Sequence, residues 1–233
     1  MKLFRKGKRH THRGIIGIES AVVLIAFVIV AAAFAFVVLN MGFATTQKTK
    51  TSITTALGET GGAISISSSI IGDSFSTTDP MTTIMIPIKI SAGGESIDLN
   101  TTRATISYLS DDVEYGNIYR NGCTETGATY ATPNAAWNAA ETGAGCIGGG
   151  ENPISDGFPV LTTAIIYWAV SQQTPPNTVL EQGEHAILSI GWNAADAPSS
   201  LDKIKIELTV TGGATLTIER DVPSISSTVI DLD

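Results

Sequence analysis

Acidic residues are missing from the start of this chain. No Asp or Glu precedes Glu19, yet six of the 14 Lys/Arg fall within the first 14 residues. Other chemistry-bearing residues are scarce as well. There are three histidines, two of which, His10 and His12, sit on that basic tail, where they make poor cation ligands. No Ser/His/Asp arrangement and no G-x-S-x-G turn can be assembled from what is left. Gly148-Gly149-Gly150 is not followed by the Lys and Ser/Thr of a phosphate loop. The sequence thus supplies no catalytic residue, no metal site and no cofactor site. Two cysteines, Cys123 and Cys146, are too far apart for a C-x-x-C metal or redox motif. In an exported domain such a pair forms one disulfide, and otherwise two buried thiols.

What is present is a single long apolar run. From Ala21 to Leu39 there are 19 residues without a polar side chain. As a helix this is roughly 28 Å long, close to the hydrocarbon thickness of a bilayer. Three readings are open. A cleaved secretory signal would have a shorter apolar core followed by a small-residue cut site, which does not fit. A plain anchor fits the length, with the basic end inside. A cut ahead of the run would keep the helix in the mature protein.

The junction favours the third reading. The basic leader MKLFRKGKRHTHR is followed by Gly14, Ile15, Gly17 and Glu19, and then by the run. This order resembles the class III signal peptides of archaeal flagellins and type IV pilins. The resemblance implies a membrane peptidase that cuts after Gly14, leaving Ile15 as the new N-terminus and Glu19 as the fifth mature residue. A carboxylate at the edge of an apolar segment needs a partner. The freed Ile15 ammonium, one turn away, is one candidate. The alternative is an acid in the first helical turn, favoured by the macrodipole. Removal of the leader leaves eight Lys/Arg against 22 acids, a net charge of −14. That balance argues against nucleic acid and for solubility outside a membrane.

Beyond Asn40-Met41-Gly42 the pattern is that of a weaker amphipathic helix, with Phe43, Ile53, Ala56 and Leu57 among Thr, Gln and Lys. Gly58 and Gly61-Gly62 mark its exit. From Ala63 the period becomes two. The predicted strands are Ile64–Ser67, Ile84–Ile90, Ala104–Leu109, Val160–Ser171, His185–Trp192, Lys203–Thr211, Ala214–Glu219 and Ser226–Leu232. Pro87 suggests an edge strand or a bulge. The expected architecture is α+β: a leader at 1–14, a long helix at 15–62, and an antiparallel immunoglobulin-like β-sandwich at 63–233 with no second helix. Residues 113–157 lack alternation and read as a loop-rich insertion on the outer face. Trp137, Trp168 and Trp192 read as core or loop anchors. Asn100-Thr101-Thr102 is a glycosylation sequon on a domain that would face the exterior. Asp111-Asp112-x-Glu114 lacks a full calcium ligand ladder and reads as a solvated turn.

The C-terminal half extends the resemblance to archaeal flagellins. It carries Leu180-Glu181-x-Gly183-Glu184, then Gly212-Gly213-Ala214-x-Leu216-x-Ile218-Glu219-Arg220, then Pro223. The resemblance covers about residues 8–72 and 178–232. It implies an extracellular, self-polymerising filament subunit for swimming, with Val23, Phe27, Val30, Phe34 and Val37 along the filament core. It also implies a preflagellin peptidase, a membrane-bound assembly machinery, a transient membrane-inserted precursor, and sibling flagellins as further partners. Glu19 at the fifth mature position is more typical of pilins, so an adhesion pilin stays open here. So does a membrane-anchored extracellular binding domain.

Overall fold

The computed structural model describes residues 13–61, 63–77, 80–143, 146–213 and 215–232, with side chains from Gly17 to Ala56 in the first helix. The leader through residue 12, with His10 and His12, lies outside the described residues, as do Gly62, Asp79 and Ala214. The chain divides into two units, one ending at Thr54 and the other beginning at Thr55.

Helix α1 runs from Arg13 to Gly61, 49 residues without interruption, or roughly 73 Å at 1.5 Å per residue. Its second half is rich in threonine, a poor helix former. Several of those hydroxyls fold back onto the helix itself. Thr45 donates to the Met41 carbonyl and Thr46 to the Gly42 carbonyl, each at 2.8 Å. Thr51 and Thr54 donate to the carbonyls of Gln47 and Lys50 at 3.0 Å. Their polar atoms are thereby occupied within the helix, and the threonine methyl groups are left on its surface.

Among its described residues, the second unit holds thirteen short strands. One sheet joins β13 (Val229–Asp231), β2 (Ile71–Asp73), β3 (Thr83–Ile90), β10 (His185–Gly191), β8 (Thr163–Val170) and β7 (Tyr119–Glu125) in that order, with β1 (Ile64–Ile66) also on β3. The second joins β12 (Leu216–Asp221), β11 (Lys203–Val210), β5 (Ala104–Ser110) and β6 (Glu114–Tyr115). A small pair, β4 (Ile97–Asp98) and β9 (Val179–Leu180), completes the fold. The alternation read in the sequence is the alternation of burial. Ile84, Ile86, Ile88 and Ile90 of β3 face inward with Leu188 and Ile190 of β10, and β11 turns Ile204, Ile206 and Leu208 inward. All belong to one continuous core, which includes the fully buried Trp137, Trp168 and Trp192. Tyr108 stacks against Trp192 with ring centroids 5.6 Å apart.

The structure differs from the expectation in three places. First, a second helix exists, α2 (Pro133–Thr142). Thr132 caps it by accepting from the Ala135 N–H, and Pro133 opens it, where a missing N–H does no harm. Second, residues 113–157 are not an outer loop. They contain β6, β7 and α2, and they bury Ile118, Tyr119, Cys123, Ala136, Trp137 and Ala140. The Trp137 indole N–H donates to the Ser189 hydroxyl at 3.0 Å, so α2 lies against β10. Gly191 allows the close approach there: a Cβ would stand 3.1 Å from the Trp137 ring and 3.0 Å from Pro153, so both would have to give way. β7 also pairs in parallel with β8, the one parallel pair among the described strands. Third, Pro87 lies in an inner strand, registered against Ile187 of β10. Its carbonyl accepts the Ser67 N–H at 2.8 Å. In an extended strand the N–H and C=O of one residue point the same way. The missing donor therefore faces Ser67, just past the end of β1, and costs only the single return bond to that residue.

Candidate functional site

The feature that needs a partner is α1. Among its described side chains, Val23 is 68% exposed, Phe27 73%, Val30 67%, Phe34 70% and Val37 54%. These five follow a 4-3-4-3 spacing and share one stripe. They are not singled out by the structure, because Leu24, Ile25, Ile29 and Phe36 on other faces are equally bare. A helix that is apolar all round is a membrane span or the inside of a larger assembly. Residues 17–56 are long and apolar enough to cross a bilayer. Burying one such side chain stabilises by roughly 1.5–3 kcal/mol, so the summed drive to cover this helix exceeds any single contact in the β domain.

Around the junction, Gly14 and Ile15 occupy the first turn of α1, with their side chains outside the described set. A Cβ on Gly17 would meet nothing within 4 Å. Glu19 is exposed one turn further on. After it, no acid occurs until Glu59, and Lys48 and Lys50 are the only charges in between.

The other candidates lie apart from the helix. Cys123 of β7 and Cys146, just beyond α2, form a disulfide that closes a 23-residue separation. It fastens the end of α2 to the sheet. Asn152 does the same for the following segment: its buried amide donates to the side-chain oxygens of Asn134 at 2.7 Å and Asn138 at 2.8 Å. Asn100 is half-buried and accepts from the Thr102 N–H at 3.0 Å and the Thr102 hydroxyl at 2.9 Å. Asp111, Asp112 and Glu114 are exposed. Among the described residues, no three His, Cys, Asp or Glu gather as a metal ion would require.

Glu184 is a structural carboxylate that sequence inspection passed over. It is 1% exposed. Burial by itself would raise its pKa. That effect is outweighed by hydrogen bonds from the Ser171 hydroxyl and the backbone N–H groups of Glu181 and Gln172, so the group is held below the ordinary 4.5. The anion ties the loop after β8 to the start of β10. The only sequence sign was the Glu181-x-Gly183-Glu184 turn.

Comparison with known proteins settles what the exposed helix belongs to. The model of the family described as archaeal-type flagellin matches residues 14–220. A protein of Aeropyrum pernix named "Probable flagellin 1" is 34% identical over 215 residues, covering 91% of this chain and 93% of the relative.

The chain belongs to the archaeal-type flagellin family.

A flagellin of Archaeoglobus fulgidus, also named "Probable flagellin 1", is 38% identical over 99 residues, or 42% of this chain and 49% of the relative. Two solved structures share the fold at 18% identity. The crystal structure of archaeal flagellin FlaB1 from Methanocaldococcus jannaschii has a TM-score of 0.54, covering 72% of this chain and 95% of that one. The archaeal flagellum of Methanospirillum hungatei strain JF1 has a TM-score of 0.56, covering 93% and 99%. In this chain the shared fold is a long apolar N-terminal helix followed by antiparallel-rich sheets. As a flagellin, this chain is a structural subunit of the archaeal flagellar filament, outside the cell.

Proposed function

We propose that this flagellin is made with a cytoplasmic basic leader, is held in the membrane by α1, and is cut between Gly14 and Ile15 by a preflagellin-type signal peptidase. Gly17 keeps the junction slim, and Glu19 faces the new ammonium of Ile15. A membrane-bound assembly machinery then moves the subunit into a growing filament. There the helices of many copies pack together, with Val23, Phe27, Val30, Phe34 and Val37 among the core contacts. The same side chains exchange lipid for other helices, so no large apolar area has to meet water. Head-to-tail repetition gives an open helical polymer rather than a closed ring. Sibling flagellins with the same helix can enter the same polymer. Residues 1–14, 15–62 and 63–233 act as leader, core and coat. Asn100, half-buried on the coat, is its glycosylation site. The subunit carries out no chemistry itself; a separate motor turns the filament, and the cell swims.

The observation that carries this reading is the bare apolar surface of α1 on every face. Val30→Asp tests it. The variant should leave cells without filaments by electron microscopy while the β domain stays folded, as judged by tryptophan emission. Filaments of normal length from Val30→Asp would defeat the reading. So would mature extracellular protein that still begins at Met1.

A further inference from the structure

The β domain carries a second uncovered apolar surface, gathered at one end. Phe75 is 57% exposed, Val160 64%, Leu161 50%, Leu201 79% and Val229 60%. All five lie where β3, β8 and β11 begin and where β2, β5 and β10 end. β1 pairs with residues 88–90, at the other end of β3. The connecting segments at this end are bonded to one another. Ser74 N–H donates to the Thr228 carbonyl at 2.8 Å, and Met81 N–H to the Pro198 carbonyl at 3.0 Å. Asn193 N–H donates to the Thr162 hydroxyl at 3.1 Å. Asp196 accepts from the hydroxyls of Tyr115 at 2.9 Å and Thr162 at 2.6 Å.

Leu201 is the most exposed of the set, and it is the one non-glycine residue at positive φ among those described, at +74°. A leucine in that region is disfavoured by roughly 1–2 kcal/mol. It is held there by its N–H bond to the Val222 carbonyl at 2.8 Å, and the Ser200 hydroxyl beside it accepts from the Ile225 N–H at 3.1 Å. Local stability would favour glycine or asparagine. A leucine fixed in solvent at this conformation serves a contact made outside the domain.

Charge and exposed apolar surface together narrow the partner. Among the described residues, the segments 74–77, 80–82, 111–118, 154–162, 192–202 and 222–228 contain six acids and no lysine or arginine, and Lys203, which opens β11, lies 4.0 Å from the Asp221 carboxylate. Another acidic β-domain surface would be repelled. The stretch of α1 from Met41 to Thr54 offers the complement. It has Lys48 and Lys50 without any acid nearby, bare Phe43 and Ile53, and threonines whose hydroxyls are turned back onto the helix.

We propose that this acidic, apolar end docks on residues 41–54 of α1 in a second copy of the chain, with Leu201 as the knob. The contact joins two different surfaces, as an open polymer requires. It rests on the filament reading and adds a second joint outside the 21–39 core.

Zero-length carbodiimide cross-linking of native filaments tests it. The reagent joins a lysine amine to a carboxylate already in contact. The expected product is a ladder of linked subunits whose peptides join Lys48 or Lys50 to carboxylates such as Asp112, Glu114, Asp196 or Asp202, and it should vanish in the Lys48→Gln/Lys50→Gln double variant. Leu201→Gly is the second arm. Glycine suits the backbone, so the domain keeps or gains stability, yet filaments should shed subunits about tenfold more readily on dilution, the loss of one buried leucine. Intact filaments in which the lysines link only to other sites, or Leu201→Gly filaments as durable as wild type, would overturn the joint while leaving the core reading standing. Absence of filaments from the wild-type chain would sink the core reading instead.

Discussion

The two units of this flagellin solve the same problem in opposite ways. In the β domain the apolar side chains turn inward, and Trp137, Trp168 and Trp192 are entirely withdrawn from solvent. In α1 the backbone is satisfied by its own helical bonds while nearly every large apolar side chain between Ile18 and Ile53 is bare. The first unit is complete as a single chain. The second is complete only in company. Mutations should therefore separate them: damage to the helix removes assembly without unfolding, and damage to the domain removes stability before it touches the helix.

The sharpest break of that contrast is Val30→Asp, for which all filaments should be lost while the unfolding midpoint of the domain stays put. All three tryptophans lie in the β domain, so their emission in the full chain, held in detergent, reports that unit alone. Next comes Trp137→Ala. It empties a fully buried site and strands the Ser189 hydroxyl, and it should lower domain stability by about 3–5 kcal/mol in denaturant titration. An effect below 1 kcal/mol would mean that α2 is a removable outer piece after all. The double change Cys123→Ser/Cys146→Ser should lower stability by about 3 kcal/mol for a loop of this length, with reductant giving the same loss in the wild type and none in the variant.

The smallest effect concerns pH. Glu184 has a folded-state pKa below its unfolded value, so its contribution is present above the ordinary 4.5 and fades as pH falls through the lower folded value. Glu184→Gln should thus be less stable than wild type at pH 7 and approach it at strongly acid pH. A gap that stays constant across that range would show that Glu184 acts by shape and not by charge.

The two units also differ in how plainly the sequence announces them. The helix was legible because 19 apolar residues in a row admit few readings. The strands β1, β3, β5, β10, β11, β12 and β13 were legible from alternation, and β8, buried without a break from Thr163 to Trp168, from its run of apolar, β-branched and aromatic residues. β2, β4, β6 and β9 have two or three residues each, too few for a period to register. α2 escaped because Ala and Asn fill most of it, although Thr132-Pro133 and Gly143 were proper start and stop signals. β7 escaped because its Arg120-Asn121-Gly122 stretch carries little β propensity, and it is the disulfide and the parallel pairing with β8 that hold it in place. The assembly helix could be read from the run alone. The bare end of the domain could not, because Ser199-Ser200-Leu201-Asp202 gives no local sign of a leucine at positive φ.

The length of α1 has a mechanical consequence. A rod of roughly 73 Å standing in an oil layer about 30 Å thick always has more than half its length outside the layer. Lifting a subunit free therefore demands a stroke set by the thickness of the oil, and the threonine collar above it needs no rearrangement on the way. The length of rod beyond the layer is thus a stiff handle, in place before the first apolar turn begins to move.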